Sequence, residues 1–199
     1  MNSLDKSDVR QRAYENIVKT IDLTVHLPKQ VFKKEWSNFL FFQSDWMFTK
    51  EFPRVIDEML LIEKANVCCL LNLSLTPSMN FEEIAAIYIG EKITDDEYYS
   101  KLQADGPSNG WLYGVDTYAC MSDAGEWCIY CERSNDVAVI GFRNDSESQK
   151  FRSSLDNLHA KPILDLIDGG VAPLIPFNRL VPEWSSALIQ NYPHNSSLD

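Results

Sequence analysis

The sequence predicts an α+β fold, with helices packed on a mainly antiparallel sheet whose centre is a meander over about residues 111–142. Three observations predict it. From Gly125 to Arg143 the chain carries two strand-like runs on either side of a polar Ser134-Asn135-Asp136 turn, the pattern of a β-hairpin. Both faces of that hairpin are apolar: side chains alternate across a strand, so Trp127, Ile129 and Cys131 share one face while Cys128 and Tyr130 share the other. A strand apolar on both sides belongs in the middle of a sheet covered by helices. Around the hairpin, segments of helical periodicity with capping signals fill both ends of the chain. At 199 residues and 45% hydrophobic, one well-filled core is expected, so residues 1–199 are read as a single domain.

In chain order, Val9, Ala13, Ile17 and Ile21 recur every four residues and predict an amphipathic helix from Ser7 to about Asp22. Pro28 breaks the pattern. Phe32, Trp36, Phe39 and Leu40 then give helical spacing over Val31 to Phe42, an aromatic cluster expected to pack in the core. Ser44 or Thr49 can cap the next helix, whose stripe is Phe52, Val55, Ile56, Met59 and Leu60, with Pro53 in its first turn and an end near Lys64. Val67 to Leu73 reads as a buried strand. After the connector Thr76-Pro77-Ser78, Asn80 and Glu83 form a capping box ahead of Ile84, Ile87 and Tyr88, predicting a short helix ending near Gly90. A second box, Thr94 with Glu97, opens a helix through Tyr98 and Leu102 that stops at Asp105-Gly106-Pro107.

Strands near 111–120, 126–132 and 137–142 complete the meander. Ser146 and Gln149 read as a further box, followed by Phe151, Leu155 and Leu158 on one helical face. Pro162 starts a short helix closed by Gly169-Gly170, and Pro182 opens a last one that buries Trp184 and Leu188. Residues 193–199 are polar and expected to fray.

Apolar runs such as Phe39 to Phe42 fall far short of the roughly 18 residues a membrane helix needs, and the polar N-terminus has no signal-peptide pattern. No membrane association and a cytoplasmic location are expected. Five cysteines, four of them inside apolar runs, read as reduced, buried thiols. Cys128 and Cys131 have the spacing of a metal or redox pair, but on a strand an offset of three puts them on opposite faces. His26, His159 and His194 lie in unlike contexts without a metal-ligand spacing, so no metal is expected. A nucleophile pair such as Cys120 with His159 has no local mark of an activated thiol. Among eight glycines there is no phosphate loop or dinucleotide fingerprint, and no cofactor is expected.

The charge is concentrated. Residues 81–136 hold 12 acids against Lys92, Lys101 and Arg133, a segment charge of −9 within a total of −11. Such a block argues against nucleic acid and for a basic protein partner. Glu82, Glu83, Asp95, Asp96 and Glu97 fall in first turns of predicted helices, where carboxylates complement the helix dipole. Glu132 and Arg133 read as an exposed charge pair at the hairpin turn. The loop and strand acids Asp105, Asp116, Asp123 and Glu126 are left as the partner-binding candidates.

Trp111-Leu112-Tyr113-Gly114, the run Gly125 to Arg133 and Asn135 to Ile140 together resemble the central block of bacterial immunity proteins that accompany polymorphic toxins, including contact-dependent growth inhibition systems. The resemblance implies a non-enzymatic cytosolic protein that binds a cognate toxin C-terminal domain and blocks it. Many such toxins are nucleases with basic active sites, which an acidic surface suits. Two other readings stand beside it: an acidic adaptor or chaperone for another basic protein, and a hydrolase using carboxylates of the middle block or a Cys nucleophile.

Overall fold

The computed structural model describes residues 6–74, 85–90, 93–104 and 110–193. Within them the fold is α+β, built on a six-stranded, wholly antiparallel sheet. The strands are β1 Asn38–Phe42, β2 Val67–Asn72, β3 Ala86–Gly90, β4 Thr117–Ser122, β5 Trp127–Glu132 and β6 Val137–Phe142, in the order β1-β6-β5-β4-β2-β3. The β4-β5-β6 meander thus holds the middle, with Ala119 opposite Tyr130 and Ile129 opposite Ile140. Every residue of these three strands is buried.

Burial on both faces needs a helical layer on each side. One face packs under α2 Phe52–Glu63 and α3 Asp95–Gln103, with the one-turn α4 Trp111–Gly114 and the short helices α5 Asp145–Lys150 and α6 Arg152–Asn157. The other lies under α1 Lys6–Thr20, the one-turn α7 Ile163–Leu166 and α8 Pro182–Asn191. Period-2 alternation deals the side chains to the two cores: Trp127, Ile129 and Cys131 enter the first, Cys128 and Tyr130 the second. Cys128 and Cys131 therefore lie on opposite sides of the sheet, and all five cysteines are free and buried.

Local chemistry sets the helix ends. In α1, Val9, Ala13 and Ile17 form the buried stripe that lies on β2 and β4. Pro53 occupies the first turn of α2, and Lys64, at φ 57°, ends it with its N–H on the Leu60 and Leu61 carbonyls. Both halves of the Thr94–Glu97 capping box are present at α3. At α8, Tyr192 accepts from the Val31 amide at 3.1 Å and donates to the Lys29 carbonyl at 2.7 Å, tying the C-terminal helix to the loop before β1.

Four elements differ from the sequence expectation. Val31 to Phe42 is no helix: its second half is β1, with Phe39 and Phe41 in one core and Leu40 and Phe42 in the other. A short aromatic run satisfies either period, and pairing with β6 decides it. The helix expected to end near Gly90 is instead β3, paired to β2; the Asn80–Glu83 box lies outside the described residues. Residues 111–114 form a helical turn ahead of β4 rather than its beginning. The cap of α5 is Asn144, which accepts from the Glu147 amide, not Ser146 with Gln149. In α8 Leu188 is buried as expected, whereas Trp184 is only partly covered.

In and beside the meander, geometry dictates glycine at positions 125 and 141. Gly125 takes φ 77° in the β4–β5 turn. At Gly141 in β6 a Cβ would come within 2.9 Å of the Phe32 ring, so the absent side chain is what lets that ring lie on the sheet. No helix among the described residues is long and apolar enough to cross a membrane.

Candidate partner-binding surface

Six antiparallel strands give the sheet two ends, and the acidic residues divide between them. At one end, the β5–β6 turn (Arg133 to Asp136), the 3-10 turn Ser44–Phe48, α4 and Asp116 come together. Asp136 sits at φ 49°, and its carboxylate accepts from the Asp45 amide and the Ser44 hydroxyl, each at 3.1 Å, and from Gln43 Nε2 at 3.2 Å. Asp116 takes the Ser134 amide at 2.9 Å on its carboxylate and the Arg133 amide at 2.8 Å on its carbonyl. These bonds hold the turn in one shape.

Arg133 is the single base of this constellation, and the fold uses it up. Its guanidinium donates to the Leu112 carbonyl at 2.7 Å, lies 4.5 Å from the Phe48 ring centroid and reaches Asp45 at 3.5 Å. The guanidinium is thus held from three sides, by the Leu112 carbonyl, the Phe48 ring and the Asp45 carboxylate, while the Asp116 and Asp136 carboxylates take amide and hydroxyl donors of the same turns. The Asp45 side chain is 64% exposed, Asp116 is exposed, and Tyr113 stands 56% exposed on α4 beside them.

The opposite end is acidic in composition but engaged internally. The Asp123 carboxylate, with only 5% of its side chain exposed, accepts from the Asn66 amide at 2.7 Å, the Val67 amide at 3.0 Å, Asn66 Nδ2 at 3.0 Å and Arg12 at 3.3 Å. It pins the start of β2 to the β4–β5 turn. Glu126 pairs with Lys150 at 3.0 Å. Next to it Glu63 accepts from Trp127 Nε1 at 2.9 Å and from the Glu126 amide at 3.2 Å, and burial raises its carboxyl from 4.5 to about 7.

The four acids singled out from sequence therefore do not form one patch. Asp116 and Asp123 flank the six residues of β4, roughly 20 Å apart at a strand's rise. Asp123 and Glu126 share the far end, and Asp105 lies outside the described residues. Asp45 escaped the sequence reading because it precedes the acidic block by 36 positions; no local signal brings it to Arg133.

Glu132 is a correction. Expected as half of an exposed pair, it is 6% exposed and accepts from the Leu27 amide at 2.6 Å and the Tyr130 hydroxyl at 3.2 Å, with His26 Nδ1 at 3.8 Å. Burial pushes its carboxyl up. The signal was in the alternation: Glu132 continues the inward face of Cys128 and Tyr130. Cys120 is fully buried with its sulfur beside that of Cys68, and burial pushes its thiol up, the direction that keeps it protonated. Exposed His159 packs its ring against Trp46.

Among the described residues no group of three or more His, Cys, Asp or Glu is placed to hold a metal ion. No protein-family model, no curated protein and no solved structure matches this chain.

Proposed function

We propose that this chain is a non-enzymatic binding protein of the immunity type, which neutralises a basic toxin domain by covering it. The observation that carries the reading is the β5–β6 end of the sheet. There Asp45, Asp116 and Asp136 sit on adjoining turns whose guanidinium is already committed to Leu112, Phe48 and Asp45, and Tyr113 on the neighbouring helical turn is exposed. An acidic surface with an aromatic anchor suits a basic partner, because long-range attraction speeds encounter and a rigid ring supplies buried contact. The hydrogen bonds that fix the turn add to this by removing the entropy cost of ordering it on binding. The Cys128–Cys131 pair is split between two cores, and Asp123 and Glu132 are bound within the fold, so the groups richest in chemistry are spent on structure.

The experiment is association kinetics between this protein and the toxin domain encoded beside it, at two salt concentrations. Asp45→Lys with Asp116→Lys is expected to slow association about tenfold or more and flatten its salt dependence, with a melting temperature lowered by a few degrees through loss of the Asp116–Ser134 bond. Glu126→Lys, at the other end of the sheet, is expected to leave the on-rate near that of the unmodified protein. An unchanged on-rate in the double variant overturns the assignment of this end; absence of any binding overturns the reading itself.

A further inference from the structure

Cysteines on three neighbouring strands share one face of the sheet, and two of them meet. Cys68 on β2, Cys120 on β4 and Cys131 on β5 enter the core under α2, while Cys69 and Cys128 enter the other. β2 and β4 are antiparallel neighbours, with Cys68 opposite Ser122 and Leu70 opposite Cys120, so the two cysteines are diagonal neighbours on that face. Their sulfurs lie 2.9 Å apart. A bonded pair sits at about 2.05 Å, so less than about 1 Å separates this contact from a bond, a gap that small side-chain rotations on two already paired strands close. The remaining thiols are placed differently. Cys69 and Cys128 stand on β2 and β5 with β4 between them, roughly 9–10 Å apart at the spacing of strands. Cys131 gives its thiol to the Met47 thioether at 3.3 Å.

We propose that Cys68 and Cys120 are a disulfide site, oxidised as the chain folds by a small-molecule disulfide of the glutathione class. One cysteine thiolate attacks a glutathione disulfide sulfur, which makes a mixed disulfide and expels one glutathione thiolate; the second cysteine then attacks the protein sulfur of that mixed disulfide and expels the other. Two protein S–H bonds are lost and one S–S bond is made, and the two electrons and two protons pass to two molecules of glutathione. The exchange belongs to folding because both thiols are fully buried in the finished sheet, where burial pushes them up and keeps them protonated, away from any oxidant in solution. Once made, the bond ties β2 to β4 and closes a loop of about 50 residues, which restricts the unfolded chain. Where thiols are held reduced, the pair stays a dithiol. The site uses no residue of the proposed partner surface and does not rest on the toxin-binding reading.

The test starts from the full chain, reduced and unfolded in denaturant, then refolded in a buffer of reduced and oxidised glutathione, alkylated under denaturing conditions and mapped by mass spectrometry after digestion. One disulfide is expected, joining the peptides of Cys68 and Cys120, with Cys69, Cys128 and Cys131 alkylated; fragment ions separate Cys68 from its neighbour Cys69. The oxidised protein is expected to melt several degrees above the reduced one, and dithiothreitol to remove the difference. Protein that is kept folded in the same buffer is expected to form the bond far more slowly. A refolded protein with the native circular dichroism spectrum but five alkylated cysteines, or one whose cross-link joins a different pair, overturns the proposal.

Discussion

Asp123, Glu132 and Glu63 are carboxylates drawn into the fold, and each meets the cost of burial differently. Asp123 gathers three N–H donors and a guanidinium, enough to sit beside two strand ends as an anchor. Glu132 takes one amide and one hydroxyl. Glu63 accepts from the Trp127 indole and the Glu126 amide but also faces the neighbouring Glu126 carboxylate, and desolvation prevails, raising it to about 7. A raised carboxyl favours the folded state while it is protonated, so its contribution is complete below about pH 4.5 and is lost as pH climbs through about 7. Glu63→Gln removes that titration. The unfolding free energy of the variant relative to the unmodified protein should rise by roughly 2 kcal/mol between about pH 5 and pH 8. Denaturant melts of both proteins at four or five pH values check it; parallel curves would show that Glu63 does not titrate in this window.

The central hairpin is the element on which both cores depend. Ile140 is fully buried, opposite Ile129 on β5 and Leu40 on β1, in the core shared with α2 and α6. Ile140→Asp would place a charge there without any partner, a cost of several kcal/mol, of the order of a whole domain's stability. The variant is expected to lack a cooperative thermal transition and to accumulate as insoluble protein. A soluble variant with a sharp melt would mean that the sheet can turn this position to water. The hairpin, α1, α2 and the Thr94 cap were legible because each repeats one period or one capping pattern over several residues. β1 and β3 were not. Phe39 to Phe42 and Ala86 to Gly90 are five residues or fewer of apolar character, too short for period 2 and period 3.6 to be told apart until a neighbouring strand offers hydrogen bonds.

At the scale of the molecule, a formal charge of −11 on 199 residues makes the compact state repel itself. Screening should therefore stabilise it: raising NaCl from about 20 mM to about 0.5 M shortens the Debye length severalfold, and the melting temperature is expected to rise by a few degrees. A melting temperature that falls with added salt would mean that surface ion pairs such as Arg54–Asp95 and Lys150–Glu126 outweigh the repulsion. The sequence by itself determined the α+β class, the meander at its centre, the separation of Cys128 from Cys131 and the excess of negative charge, because alternation and composition are properties of neighbours along the chain. Where that charge points was decided only by tertiary structure. Burial of Asp123 and Glu132, recruitment of Asp45 to Arg133 and the meeting of the Cys68 and Cys120 sulfurs all follow from strand register and helix placement. A carboxylate reads the same in sequence whether it ends in water or against a backbone amide; the fold alone supplies the amide.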